Sequence, residues 1–268
     1  ALPICRIYLP KVGWVRTIFH RPIDGKMKNC TVSKTPSGKY HISIQCEVEI
    51  QDPTPSSGVV GIDLGLKHFA VLSRPVNGQT KIDHPQYLRK AEKRLKRLQR
   101  RLSRCQKGSN GRQKARLAVA RQYEKVANQR KDFLHKLSRD IVDECGHIKI
   151  ENLNVCGMLK NHHLAKSIAD SGWRMFGSFL DYKSVWTGGM TERIDRFFAS
   201  SKICSVCGSV NQDLKLHHRF WLCDGCDTFH DRDENAATNI EQYVPSERRK
   251  LTPVESVMHS LKPEAQAL

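Results

Sequence analysis

The sequence predicts an α/β protein in which short apolar strands are interrupted by a basic helical hairpin and by a metal-binding knuckle pair. Three observations predict this. Two apolar β-type stretches, Val59–Gly65 and His147–Leu153, each carry a single carboxylate, Asp63 and Glu151. Between them, apolar residues recur at spacings of three and four over a long charged stretch, the period of helices. Near the C-terminus stand two Cys-x-x-Cys pairs, Cys204/Cys207 and Cys223/Cys226, fifteen residues apart, the spacing of a four-thiolate zinc ribbon.

At 268 residues the chain is long enough for one sizeable core with insertions. It holds 45 Lys and Arg against 27 Asp and Glu, a net charge of +18, and a balance this basic points to nucleic acid as partner. No run of about eighteen apolar residues occurs, so no membrane span is expected, and no charged-then-apolar leader precedes the first strand. Apart from the two pairs, the cysteines (Cys5, Cys30, Cys46, Cys105, Cys145, Cys156) are scattered singly, as in a reducing compartment. The chain starts at Ala1 inside a strand-like pattern, which predicts a fragment whose N-terminal part is missing.

In chain order, residues 1–51 read as three or four antiparallel strands (4–9, 31–33 and 40–50), with turns at Pro10, Asp24-Gly25 and Ser37-Gly38. They would form a partial barrel. Residues 52–57, with Pro53 and Pro55, read as a linker. A strand carrying Asp63 and a second strand at 69–73 follow. A carboxylate inside an apolar strand is costly to bury unless something satisfies it, which favours a functional Asp63 over a turn cap.

Residues 85–145 read as a helical hairpin. Leu88, Ala91, Leu95, Leu98 and Leu102 make the seam of the first helix, residues 107–112 break it, and Val119, Tyr123, Val126, Phe133, Leu137 and Ile141 point inward from the second. Between Arg89 and Arg139 lie 19 Lys and Arg and 3 acidic residues. Like charges at helical spacing repel unless an anion compensates them, so Lys93, Arg97, Arg100, Arg101 and Arg104 are candidate phosphate-binding residues. After Glu151, residues 161–190 read as helical, 192–198 as a strand, and 214–222 as a hairpin between the knuckles, with Gly208 and Gly225 supplying the knuckle turns. Residues 244–268 have three prolines and no period and are expected to be disordered.

Taken together, Gly61-Ile62-Asp63-Leu64-Gly65, Ile150-Glu151-Asn152-Leu153, the paired cysteines and His230-Asp231-Arg232-Asp233 with Asn235-Ala236-Ala237 and Asn239-Ile240 resemble the OrfB/TnpB proteins of insertion sequences. That family is related to the compact RNA-guided nucleases of type V CRISPR systems. The likeness runs from the first strands to about Ile240. It implies a RuvC-like nuclease domain of the RNase H type over 58–203 and 227–243. The hairpin 85–145 and a zinc ribbon, 204–226, would interrupt it, and a partial β-barrel, wedge-like segment, 1–51, would precede it. By matching motifs, Asp63, Glu151 and Asp233 would be catalytic carboxylates holding Mg²⁺ or Mn²⁺, with Asp231 as the alternative third ligand. Cys204, Cys207, Cys223 and Cys226 would hold a structural Zn²⁺. Two departures stand out: Ala199 where a proline is common, and Asp227 in place of the glycine after the fourth cysteine.

The implied function is a transposon-encoded, metal-dependent DNA endonuclease, RNA-guided in its complete form. Its partners would be DNA and a guide RNA, met as a monomer at the nucleoid of a prokaryotic cytoplasm. Hard divalent ions take oxygen ligands, and two of them about 3.5–4 Å apart serve phosphodiester hydrolysis. Four thiolates leave zinc no open position for water, so that ion would be structural. One rival is a truncated, catalytically silent regulator of transposition that binds nucleic acid. Another is a sugar-kinase or actin-type ATPase, whose phosphate hairpin also reads Gly-Ile-Asp-Leu-Gly. There Thr or Ser normally follows, where this chain has Leu66-Lys67. A strand-joining transposase ranks lower, for want of a tyrosine or HUH nucleophile motif.

Overall fold

The computed structural model describes residues 4–20, 22–49, 53–215 and 217–245, in two compact units, Ala1–Gln51 and Asp52–Leu268. The expected disordered tail lies, from residue 246 onward, outside the described residues.

In the first unit, β1 (Ile4–Leu9) pairs antiparallel with β2 (Gly13–Ile18), and β3 (Lys26–Lys34) with β4 (Tyr40–Glu47). Each pair is its own two-stranded sheet, so the described residues form two hairpins rather than one barrel wall. The sequence reading missed β2 and saw only residues 31–33, near the C-terminal end of β3. β3 is exposed along its whole length, so no apolar alternation marks it.

The second unit is built on a five-stranded mixed sheet of order β7-β6-β5-β8-β9. β5 (Gly58–Leu64), β6 (His68–Val76) and β7 (Gln79–Asp83) form an antiparallel meander, while β8 (Cys145–Ile150) runs parallel to β5 and β9 (Met190–Arg193) parallel to β8. The near-continuous apolar content of β5, β6 and β8 follows from burial on both faces. Val60, Ile62, Phe69, Ala70, Ile148 and Ile150 are almost wholly inaccessible. Phe69 packs edge-on against Phe133 and Phe176.

The crossover from β7 to β8 is the helical hairpin, α1 (Tyr87–Arg104) and α2 (Asn110–Glu144). Ser109 caps α2 by accepting from the Arg112 backbone N–H, and the Arg112 guanidinium donates to the Leu102 and Cys105 carbonyls that end α1. The two halves of α2 face different things. Leu134, Leu137, Ile141 and Val142 enter the core under the sheet, whereas Tyr123, expected inward, is exposed and accepts from Gln99 of α1. The root of α1 is held from outside the hairpin. α3 (Val155–Met158) and α4 (Ala165–Ser171) follow β8, and buried Asp170 of α4 accepts from the Leu88 N–H and pairs with Arg130 at 2.8 Å.

α5 (Trp173–Trp186) covers the core through Trp173, Phe176 and Leu180. The strand expected over 192–198 ends at Arg193, because the Asp195 carboxylate accepts from the Phe197 N–H and turns the chain. Beyond the cysteine region, β10 (Phe220–Leu222) pairs with β11 (Phe229–Asp231), and α6 (Arg232–Gln242) returns to the sheet.

α6 crosses β5 at Gly61. A Cβ there would sit 2.1 Å from the Ala237 carbonyl oxygen and 2.4 Å from the Glu241 nitrogen. Ala236 and Ala237 complete the close approach, both buried. The C-terminal end of α6 is tied by Lys149 of β8, whose ammonium donates to the Glu241 and Tyr243 carbonyls, a cation at the negative end of a helix. Gly61→Ala should therefore push the helix off the sheet and destabilise the unit by about 1–3 kcal/mol, the usual cost of overpacking. Gly111→Ala, in the first turn of α2 with only a 3.8 Å contact, should be neutral or stabilising. Thermal unfolding of the two variants side by side checks this.

Candidate functional site

Strand register explains why two carboxylates meet. In the parallel β5–β8 pair, Gly61 lies opposite Lys149 and Ile62 opposite Ile150. The next step brings Asp63 beside Glu151, at the carboxyl ends of both strands. α6, lying across β5, carries Asp233 in its first turn to the same end.

The electrostatics report the same convergence. The Asp63 carboxyl is pushed well above its ordinary range, first by burial, then by the negative charges of Glu151 and Asp233, with Arg232 opposing. Burial also raises Glu151, against hydrogen bonds to Asp63 and Ser200; the Ser200 hydroxyl lies 3.5 Å from the Glu151 carboxylate. Asp233 has Arg219 at 3.5 Å. Carboxyls crowded so that ionisation is disfavoured are a donor set suited to hard cations.

Asp231 is placed differently. It is the N-cap of α6: one oxygen accepts from the Asp233 and Glu234 N–H groups, and the other receives the Lys81 ammonium at 2.7 Å. Burial alone would raise its carboxyl, but Lys81 and the helix N–H groups outweigh this and hold it below the ordinary range. Both of its oxygens are thereby occupied.

The four cysteine sulfurs lie within 4.8 Å of one another, with Cys204–Cys226 at 3.6 Å and Cys207–Cys223 at 3.5 Å. The two knuckles repeat one hydrogen-bond pattern. Cys204 N–H donates to Ser209 and Gly208 N–H to Cys204; Cys223 N–H donates to Thr228 and Asp227 N–H to Cys223. The residue after each second cysteine must therefore be left-handed: Gly208 has φ +76° and Asp227 φ +54°. Asp227, not Gly225, makes the second turn, and Asp is among the few non-glycine residues that visit this region readily.

Polar groups surround the sulfurs. Ser209 Oγ is 3.0 Å from both Cys207 and Cys223, Thr228 Oγ1 is 3.2 Å from Cys226, and His230 Nε2 is 3.1 Å from Cys204. The Ser209 hydroxyl holds Cys207 down to about 6, whereas burial pushes Cys204 up to about 11. Such a group fits a zinc ion, whose binding displaces the remaining thiol protons. Among the described residues of 214–222 the one strand, β10, pairs with β11 across the second knuckle rather than within that stretch.

Sequence reasoning missed the clamp between the knuckles and α6. Asn235 accepts from the Ser205 N–H and donates to the Ile203 carbonyl, while Asn239 donates to the Ser200 and Ile203 carbonyls. Both are buried. Their i,i+4 spacing beside two alanines was the available signal. Lys81 and Arg219 were also missed, being single cations in a chain full of them.

Of the candidate phosphate-binding residues, Lys93, Arg97, Arg100, Arg101 and Arg104 are all exposed on α1, which buries only Leu95. They line one open depression with Lys90, Arg94 and Lys96. None of the five forms an ion pair among the described residues.

A mixed α/β sheet gathers carboxylates beside a four-cysteine lobe, and known proteins share this arrangement in sequence and fold. Residues 41–162 match the OrfB_IS605 family model, described as "Probable transposase", and residues 173–240 match the model "Cas12f1-like, TNB domain". Residues 41–162 are thus similar to the OrfB/TnpB family and residues 173–240 to the Cas12f1-like TNB domain. The chain is 41% identical to "Putative RNA-guided DNA endonuclease" of Streptomyces pristinaespiralis, over 85% of this chain and 55% of that protein. It is 35% identical to "Putative RNA-guided DNA endonuclease InsQ" of Escherichia coli K12, over 88% of this chain and 61% of that protein. The chain therefore spans roughly half to three-fifths of these relatives. A cryo-EM structure of a Cas12f1–sgRNA–target DNA complex shares the fold with TM-score 0.50 and 18% identity, covering 79% of this chain and 55% of that one. No helix among the described residues is long and apolar enough to cross a membrane.

Purified from reducing buffer, the protein should carry one zinc per chain by elemental analysis. Cys223→Ala should lose it and unfold at a lower temperature, because structural zinc contributes folding free energy.

Proposed function

We propose that the protein is the catalytic part of a transposon-encoded, RNA-guided DNA endonuclease, with a RuvC-like core of the RNase H type. The observation that carries this reading is the convergence of Asp63, Glu151 and Asp233 at one end of the sheet, where Glu151 and Asp233 each raise the cost of ionising the part-buried Asp63. DNA and a guide RNA are the partners named for the Cas12f1 complex of similar fold, and they are carried to this chain as part of the proposal.

In this reading Asp63, Glu151 and Asp233 hold Mg²⁺ or Mn²⁺. When bound, such ions neutralise charge at the scissile phosphate and activate water. The chain's own residues do the rest. Asp231 fixes the first turn of α6, so that Asp233 faces the strand ends, and Lys81 holds Asp231 in turn. Ser200 steadies Glu151. Zinc on Cys204, Cys207, Cys223 and Cys226 stiffens the lobe that Asn235 and Asn239 clamp to the same helix. The exposed cations of α1 supply sequence-independent affinity through phosphates, leaving the carboxylates to chemistry.

Two outcomes check the proposal. In the guide-loaded protein carrying this segment, DNA cleavage should require Mg²⁺ or Mn²⁺. It should fall to background in Asp63→Ala, Glu151→Ala and Asp233→Ala with DNA binding kept, and a double variant should lose hardly more than a single one. Asp231→Ala should instead lower the melting temperature, by about 1 kcal/mol of lost capping, and leave measurable cutting. Abolished cutting in Asp231→Ala with activity kept in Asp233→Ala would reverse the assignment, and activity in all four variants would sink the nuclease reading. Separately, reversing the charge of Lys93, Arg97, Arg100, Arg101 and Arg104 should flatten the slope of log affinity against log salt. An unchanged slope would make α1 a solvated strut.

A further inference from the structure

β11 is three residues long, and successive side chains of a strand point to opposite faces. Phe229 and Asp231 therefore point one way and His230 the other. Asp231 meets the first turn of α6, where it accepts from the Asp233 and Glu234 N–H groups and receives Lys81. His230 turns into the four-cysteine lobe, and its Nε2 lies 3.1 Å from the Cys204 sulfur. Its ring tilts 33° against the Trp221 indole, with centroids 4.7 Å apart, across the β10–β11 pair. Trp221 and His230 are both buried, at 7% and 6% exposure. The indole N–H has no hydrogen-bond partner among the described residues, so Trp221 acts as a packed wall that orients the imidazole.

A cysteine that holds a metal is a thiolate and can only accept a hydrogen bond. The hydrogen between His230 and Cys204 then belongs to Nε2. Ser209, Thr228 and the Gly225 N–H also lie against the sulfurs, but they belong to the knuckle turns. His230 comes from the strand that runs directly into α6. Four sulfurs within 4.8 Å of one another already make a full tetrahedral set. His230 thus stands outside the ligands and contacts one of them.

We propose that His230 is a positioning residue, tying a zinc ion on the four cysteines to the start of α6 through an Nε2–H···S hydrogen bond to Cys204. The back-to-back pair His230 and Asp231 carries the tie: the first side chain is fixed by the metal lobe, the second fixes the helix. Order in the first turn of α6, and so the place of Asp233, then depends on zinc loading. The proposal rests on the zinc reading of the four cysteines and is independent of the nuclease reading.

The isotope-labelled 268-residue chain, carrying one zinc by elemental analysis, provides the first test. Nuclear magnetic resonance of the His230 ring should find a proton on Nε2. An Nε2 without a proton, as in a histidine that itself ligates zinc through that atom, would overturn the proposal. This measurement uses the unaltered chain and decides the matter whether or not the variants fold. The second test compares His230→Phe, which keeps a ring against Trp221 without the N–H, with His230→Gln, which restores an amide donor. In competition with a chelator, His230→Phe should hold zinc about 10–100-fold more weakly, the usual cost of removing a group hydrogen-bonded to a metal ligand. His230→Gln should recover most of the loss. With both variants saturated with zinc, the Asp233 and Glu234 amides should exchange with solvent several-fold faster in His230→Phe than in His230→Gln or the unaltered chain. Unchanged affinity or unchanged exchange in His230→Phe would refute the tie, as would a Gln variant no better than the Phe one. A chain that takes up no zinc refutes the zinc reading and this proposal together, whereas zinc bound with Nε2 bare refutes this proposal alone.

Discussion

The contact on which the second unit depends is the backbone approach of α6 to β5 at Gly61. Any side chain at that position would meet the Ala237 carbonyl, and the buried Ala236 and Ala237 are small enough to let the helix lie that close. Everything at the carboxylate end follows from that distance. A helix held one side-chain layer further away would carry Asp233 out of reach of Asp63, and the electrostatic coupling between them would fade. Lys149 fixes the far end of the same helix and Asp231, through Lys81, the near end. The helix is thus pinned at three points along its length.

The four-cysteine lobe is a fourth restraint on that helix. Asn235 and Asn239 fasten residues 200–205 to the buried side of α6, and Ser200 in that stretch touches Glu151. The lobe and the sheet therefore share one hydrogen-bonded seam, and rigidity in the one is rigidity in the other. This accounts for a four-cysteine knob only five residues upstream of an acidic helix start: the short connection leaves no slack between them.

Much of this was legible in the sequence, and the reasons differ by element. Asp63 and Glu151 stood out because a lone charge in an apolar strand has few innocent explanations, and the cysteine pairs because their spacing is nearly diagnostic. The helical hairpin was legible from its period, although Tyr123 was turned the wrong way: in the distal half of α2 the neighbour is only α1, and the inward face narrows. β2 was lost because its alternating burial is not matched by residue type, with Trp14 and Ile18 on the same exposed face as Arg16, and most of β3 because it is exposed throughout. The misplaced hairpin in the cysteine lobe has a different cause, since strands of three residues are too short to carry a hydrophobic pattern. The preference for Asp233 over Asp231 came from the motif and from the small residues behind Asp233; what pattern could not show is that Asp231 caps α6 and pairs with a lysine 150 residues earlier in the chain.

The order of the chain has a consequence for synthesis. Asp63 emerges early, Glu151 later, and Asp233 170 residues after the first. At translation rates of about 5–20 residues per second, some 10–30 s separate the first carboxylate from the third. During that interval β5, β6 and β7 can pair as a local meander, but the face of β5 at Gly61 stays bare until α6 has left the ribosome. The three acids come together only with the last described helix, so a nascent chain carries the parts of the site without the site.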